Sequence, residues 1–200
     1  MNFRAGSQHA ELHQHMVANL AVEICAMCCS YHLKDTAFQA NAILSLNRLA
    51  GNLTSVRSIL EYSGFQGVNA SIRANIQDAT IVQGAVQLYE QLSKVADAKT
   101  CMANTECADA VLEAMLEHEQ NEALVNSGVN CLSVIATEDD CNRHLSDLDT
   151  AIQTAKGDPD RAYRALAAVA GLSRVSHLRQ CFEARNAGTP TASCNYVLLM

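Results

Sequence analysis

The chain has no tryptophan, only two prolines, and an aromatic content of 4% in its 200 residues. Proline interrupts helices, and aromatic residues are enriched in strands, so this composition leaves room for many uninterrupted helices and gives little support to a sheet. The abundant alanine and leucine are strong helix formers. The composition therefore predicts an all-α protein.

Basic charge is also scarce. The formal net charge is −7, and a general nucleic-acid binder needs a basic footprint, so we expect no nucleic-acid partner. The longest apolar stretches carry Glu, Arg or Asn, which argues against a membrane-spanning segment. Residues 1–15 lack the apolar core of a secretory signal. These absences favour a protein that works among other proteins inside the cell.

The nine cysteines are odd in number and have no regular framework spacing. Several fall within apolar helical patterns, where reduced cysteine is a common small packing residue. We therefore expect free thiols and an intracellular reducing compartment, in the cytoplasm or cytoskeleton rather than in an organelle.

Catalytic motifs are missing from the chain. It contains no Gly-x-Ser-x-Gly, no His-Glu-x-x-His and no glycine-rich phosphate loop. The acidic groups Glu138–Asp140 and Asp158–Asp160 are explained most simply as helix N-termini, where negative charge complements the helix dipole. We therefore predict no enzyme activity and no cofactor.

A repeat is the most informative feature that is present. Similar apolar endings occur at residues 46–50, 92–96, 132–136 and 172–176, and the last three are 40 residues apart. A fixed period of this size is typical of a helical solenoid, in which each unit buries its apolar face against the next. Similar residues also recur at equivalent positions of successive units, and we call each such set a column. The cysteine column stands at the start of each first helix. The columns are Ile43, Tyr89, Val129 and Val169; Leu46, Leu92, Leu132 and Leu172; Ile72, Leu112 and Ile152; and Cys101, Cys141 and Cys181.

Residues 53–96 show the internal plan of one unit. A short helix from Leu53 ends at Ser63-Gly64, where glycine can adopt the left-handed conformation. A second helix spans 65–76, and a third follows a cap at Asp78 or Thr80. Upstream, residues 11–32 are predicted to form one or two helices, one side of which is lined by Val17, Leu20, Ala21, Ile24, Met27 and Cys28. The plan is therefore a triplet of short, medium and long helices.

The segment 59–65 (Ile-Leu-Glu-Tyr-Ser-Gly-Phe) and the repeated Leu-x-x-(Leu/Val/Ile)-Ala endings resemble the helix junctions of the armadillo superfamily. The resemblance covers about residues 36–185. It implies a right-handed α-solenoid of about four armadillo-like repeats in one domain, 1–200. The units are an N-terminal capping unit (1–50), repeats at 53–96, 99–136 and 138–176, and a partial C-terminal unit (177–200) whose apolar tail either caps the solenoid or docks on another chain.

The resemblance also implies where partners bind. In armadillo proteins the third helices line a concave groove, where a ladder of asparagines holds a bound peptide. Here the ladder positions are Arg48, Lys94, Val134 and Arg174, and the positions one turn earlier are Leu44, Glu90, Asn130 and Ala170. Three basic ladder positions suggest an acidic partner segment, because arginine pairs well with carboxylates. The alternative is that these long basic side chains lie on a solvent-exposed helix face and bind no partner.

The sequence therefore predicts a non-catalytic scaffold, or a structural subunit of a hetero-complex, that binds a protein segment along the concave face. One alternative is a zinc-stabilised helical module built on Cys25, Cys28 and His32, whose spacing places them near one helical face. Small apolar packing residues beside surface histidines explain that cluster more simply. A third hypothesis is that the chain is a redox-active thiol protein.

Overall fold

The structure is a computed structural model that describes residues 20–62, 64–154, 159–176 and 178–180. In these ranges the regular structure is helical, without strands. The helices are α1 (Ala21–Tyr31), α2 (Thr36–Leu49), α3 (Leu53–Glu61), α4 (Gly64–Ala74), α5 (Ala79–Leu92), α6 (Ala96–Ala103), α7 (Cys107–Glu117), α8 (Glu122–Ile135), α9 (Glu138–Thr154) and α10 (Pro159–Ser173).

Short polar side chains set several helix starts. Asp35, Asn52, Asp78 and Asn121 each accept a hydrogen bond from a backbone N–H in the first turn of α2, α3, α5 and α8. These caps satisfy donors that would otherwise lack a partner at a helix start. Of the two caps predicted for α5, it is Asp78 that fills the position, bonding to the amides of Thr80 and Ile81.

The helices stack in parallel rows. One row contains α1, α4 and α7, and a second contains α2, α5 and α8, each packed on the next. The short helices α3 and α6 contact each other and precede the pairs α4–α5 and α7–α8. Short, medium and long helices therefore recur in order, and the long α2, α5 and α8 lie side by side as third helices. This arrangement is an α-solenoid.

The repeat columns form the core. Leu46, Leu92, Leu132 and Leu172 are each fully buried. Ile43, Tyr89 and Val169 are buried as well, and Val129 packs against them. Ile72 and Leu112 are buried in the second-helix column, while the side chain of Ile152 lies outside the described set. The 40-residue period therefore marks equivalent core positions.

Equivalent positions also touch each other across unit boundaries. Arg73 donates to Glu113 at 3.4 Å, and the Gln77 amide donates to Glu117 at 2.6 Å. Both pairs are 40 residues apart. The second helices are thus joined by polar contacts that repeat with the period of the core.

The fourth unit departs from the predicted triplet. Residues 138–154 form one continuous helix, α9, where the pattern predicts a short first helix and a separate second helix. This segment contains neither glycine nor proline, so no residue interrupts the helix. Its start is fixed by reciprocal hydrogen bonds between Thr137 and Asp140. Pro159 begins α10, as expected for proline in a first turn.

Two predictions about glycine and cysteine positions are wrong. None of the described glycines has a positive φ, so Gly64 is not a left-handed helix end. A Cβ there would lie 2.9 Å from the Ile59 carbonyl oxygen, which makes close approach the reason for glycine. The cysteines of the repeat column do not all begin a first helix: Cys101 is exposed near the end of α6, whereas Cys141 is buried in the first turn of α9. Cys181 lies outside the described residues.

The buried face of α1 differs from the apolar stripe that the sequence predicts. Small residues are buried there, namely Ala21, Val22, Cys25, Ala26 and Cys29. Of the predicted stripe, Ala21 is buried, whereas Leu20, Ile24 and Met27 are 47–52% exposed; Cys28 is half-buried and Val17 lies outside the described range. The small face allows α4 to approach so closely that a Cβ on Gly67 would lie 2.9 Å from the Ala26 carbonyl oxygen.

Candidate partner-binding groove

Asn47 joins two neighbouring third helices. Its side-chain amide donates to the Gly84 carbonyl oxygen at 2.8 Å and accepts from the Gln91 amide at 2.7 Å. Gly84 and Gln91 both belong to α5, whereas Asn47 is in the last turns of α2. One side chain therefore links α2 to α5 at two points, beside the surface that lies between them.

An open groove of about 470 Å³ runs between these two helices. We call it the amide groove, because its polar lining consists mainly of amide side chains and contains no charged residue. Its lining residues are Ala40, Asn41, Ile43, Leu44, Asn47, Ala79, Thr80, Gln83, Gly84 and Gln87. Of the residues predicted to bind a partner, Leu44 lies in this groove. Its surface offers hydrogen-bond donors, acceptors and small apolar patches.

The polar row continues from α5 to α8. The Asn130 amide donates to Glu90 at 3.1 Å, and the Asn121 amide donates to Gln83 at 3.1 Å. Lys94 lies 3.9 Å from the same Glu90 carboxylate. The structure therefore brings the predicted residues Glu90, Lys94 and Asn130 together. The lysine charge has an acidic neighbour of its own chain, which reduces the attraction it can offer to an acidic partner.

The other predicted ladder residues do not extend this row. Arg48 is half-buried in the last turn of α2, and Val134 packs against the core. Arg174 lies with Ala170 in a separate groove between α7 and α10, beside Leu112 and Met115. The expectation that Arg48, Lys94 and Arg174 share one wall is therefore wrong for Arg174. The reason is that α10 packs mainly on α7 and α9 rather than continuing the row of α8.

Sequence reasoning missed Asn47, Gln83 and Gln87. A signal was available, because Gln83 and Gln87 are one helical turn apart on a largely apolar helix. The sequence does not indicate which residues on the neighbouring helices these side chains contact. Asn47 lies 37 residues before Gly84 and 44 before Gln91, and no local pattern encodes that contact.

The cysteine cluster of α1 is a packing feature. Cys25 and Cys29 are buried, and burial raises the pKa of both thiols to about 12. Buried thiols of this kind pack as small apolar side chains. His32 is exposed and meets the edge of the Phe38 ring, with centroids 5.0 Å apart. Across the described ranges, no three His, Cys, Asp or Glu side chains converge as metal ligands, so the zinc module has no support there.

A partly exposed ion-pair cluster connects α7 with α9. Arg143 donates to Asp109 at 2.7 Å and to Asp140 at 2.8 Å, and His144 lies 3.1 Å from Asp109. Burial alone would raise the pKa of Asp109, but the hydrogen bonds from His144 and Arg143, with the arginine charge, lower it to about 2. The hydrogen bonds of Arg143 and His144 go to carboxylates within the cluster. Its role is therefore to hold the fourth unit on the third.

The fold is that of an armadillo domain, because helix triplets stack, the periodic columns are buried and the third helices form a row. Armadillo domains are a class of helical repeat that serves as a protein-interaction scaffold. The chain belongs to the GAC ARM domain family, whose model matches residues 1–195. No curated protein matches the chain. Within the described part of the chain, no helix is long and apolar enough to cross a bilayer.

Proposed function

We propose that this armadillo domain is a non-catalytic scaffold that binds an extended segment of a partner protein across its third helices. In armadillo domains these helices line the concave side. The observation that carries the proposal is the amide groove between α2 and α5, with its uncharged polar lining. The natural setting is a hetero-complex in which this chain holds another protein.

The chemistry of the groove fits a peptide main chain. A glutamine or asparagine side chain carries both a donor and an acceptor, as a peptide bond does, so Gln87 can pair with a backbone group through both. The Gln83 oxygen accepts from Asn121, and its NH₂ group can donate to a backbone carbonyl. Asn47 links the two helices at two points. A preformed groove loses less conformational freedom on binding than a mobile one.

The same lining argues for an uncharged segment rather than an acidic one. The groove contains no charged side chain, while half-buried Leu44 offers apolar contact. Lys94 is partnered by Glu90, and Arg174 belongs to another groove. A segment with small apolar side chains, held mainly through its backbone, therefore suits the amide groove better than a carboxylate-rich one.

A peptide selection tests the proposal. Peptides selected from a random phage-displayed library on the immobilised protein should bind the purified chain in fluorescence anisotropy. Replacing Gln83→Ala and Gln87→Ala together should weaken binding about tenfold, since each lost hydrogen bond contributes about 0.5–1.5 kcal/mol. Gln120→Ala, an exposed glutamine outside the groove, serves as the matched control and should leave affinity unchanged.

Charge reversal separates the two partner chemistries. Lys94→Glu with Arg174→Glu should change affinity less than twofold, and binding should vary little between low and high salt, because no lining charge is involved. Selected peptides that are acidic and lose affinity in this double variant would support the basic-ladder mechanism instead. Peptides that bind the glutamine double variant as well as the original chain would contradict the amide groove.

We also propose that the protein works in an intracellular reducing compartment, the cytoplasm or cytoskeleton. The support is its cysteine chemistry: the seven described cysteines are free thiols, and four of them in the α1–α8 core, Cys25, Cys29, Cys107 and Cys131, are buried. Stable intramolecular disulfides are rare in such compartments.

Thiol labelling provides the corresponding measurement. In denaturant without reductant, all nine cysteines should react with an aromatic disulfide reagent, or nearly all. In the native protein, exposed Cys101 should react quickly, whereas burial should slow Cys29 and Cys131 until the chain unfolds. Cys101→Ser should remove one equivalent from the fast phase. Several stable disulfides in freshly isolated protein would overturn the compartment proposal.

A further inference from the structure

A row of large apolar side chains lies exposed along α1. Leu20, Ile24, Met27 and Tyr31 are 52%, 47%, 48% and 75% exposed, and Phe38 at the start of α2 is 43% exposed. We call these five residues the α1 seam. Single exposed leucines are ordinary on protein surfaces, but a continuous row of large apolar side chains marks an interaction surface.

The seam is distinct from the contacts that build the solenoid. The opposite side of α1 is buried against the rest of the fold through Ala21, Val22, Cys25, Ala26 and Cys29. Helical residues three and four apart share one face, so residues 24, 27 and 31 form a single line, with Leu20 at the N-cap just before it. Both sides of α1 are therefore apolar, and only the small-residue side is used within the described fold.

The spacing of the seam points to a helix as its occupant. Apolar residues alternating by four and three form the narrow stripe through which helices pair in coiled coils. A partner helix with the same spacing can interdigitate its side chains with these. The seam of a second copy has that spacing, and its large, flexible and aromatic side chains can fill the gaps of an identical row.

Charge and area are consistent with an antiparallel pair of copies. Glu23 lies near the first turn of α1 and Lys34 just after its last turn. In a parallel pair the two Glu23 side chains, and likewise the two Lys34 side chains, lie at the same level, whereas antiparallel pairing about an axis between Ile24 and Met27 places like charges on opposite sides of that axis. The five side chains expose on the order of 500 Å², so two copies would bury roughly 1,000 Å², the lower limit for a specific interface.

We propose that the α1 seam is a self-association surface through which two copies of this chain pair about a twofold axis. Ile24 of one copy then lies beside Met27 of the other, near the axis. The interface is separate from the amide groove, so a dimer presents two partner-binding grooves. Because the buried area is small, the pairing is weak, with a dissociation constant in roughly the micromolar range.

Sedimentation equilibrium of the full chain tests the pairing. The chain should show a monomer–dimer equilibrium, and Ile24→Glu should weaken it at least tenfold because it places two charges in the apolar seam. Tyr163→Glu, at an exposed aromatic residue of α10, is the matched control and should leave association unchanged. Circular dichroism should show the same helix content for both variants, since both positions are exposed.

A mixing experiment distinguishes self-pairing from general stickiness. Chains with Met27→Glu and chains with Met27→Lys should each remain monomeric, because like charges meet near the axis. An equal mixture of the two should associate again, since the charges are then opposite. A chain that is monomeric at several hundred micromolar, because residues 1–19 or another protein cover the seam, would overturn the proposal. So would a dimer that Ile24→Glu does not weaken.

Discussion

Replacing Leu132 with alanine should lower the free energy of unfolding by about 2–5 kcal/mol, the usual cost of removing a buried leucine side chain. Leu132 is fully buried in α8, a helix that packs on α5, α6 and α7. The substitution therefore leaves a cavity where several helices of two units meet. Because solenoid units are stabilised by their neighbours, the loss should also weaken the contact between those units.

Chemical denaturation followed by circular dichroism measures the effect as a shift in midpoint. Leu53→Ala is a suitable control, since Leu53 is 67% exposed at the start of α3 and loses little buried surface. The control should stay within about 0.5 kcal/mol of the original chain, as most surface substitutions do. A loss below half a kcal/mol at Leu132 would mean that the leucine column is not a core column.

Replacing Gly67 with alanine should destabilise the protein by about 1–3 kcal/mol, although alanine is the better helix former. The reason is the close approach of α4 to α1. An added Cβ would lie 2.7 Å from the Ser30 hydroxyl and 2.9 Å from the Ala26 carbonyl oxygen. The serine can rotate, but the carbonyl belongs to the helix backbone, so α1 and α4 must move apart.

Gly51→Ala separates this steric effect from the general effect of replacing glycine. A Cβ at Gly51 would meet only the Arg48 carbonyl oxygen, at 3.8 Å, which is ordinary contact. Its stability should therefore be unchanged or slightly raised, because alanine restricts the unfolded chain. If Gly67→Ala were as stable as the original chain in the same denaturant series, close packing would not explain the buried small face of α1.

The antiparallel dimer has a consequence for the scaffold. Two amide grooves in one particle can hold two segments of a partner, and linked sites bind more tightly than separate ones when the geometry permits. Ile24→Glu would then reduce the apparent affinity for a bivalent partner while leaving the affinity for a single peptide unchanged. The two proposals can therefore fail independently of each other.

Local patterns in the sequence were sufficient to predict much of the fold. The helices around Val68, Ile72 and Leu92 follow from apolar spacing, and the start of α5 follows from the capping side chain of Asp78. The leucine column was visible because each unit must bury the same position against its neighbour. These features depend on residues within a few turns of one another, so a single sequence encodes them directly.

Contacts between distant residues decided the rest. Both sides of α1 are apolar, and only the approach of Gly67 determines that Cys25 and Ala26, not Ile24 and Met27, face inward. The amide groove depends on Asn47 meeting Gly84, and Arg174 leaves the ladder because α10 packs on α7. By itself the sequence determined a helical repeat with a periodic core. Only the tertiary structure decided which surfaces face a partner, because that choice depends on how closely neighbouring helices can pack.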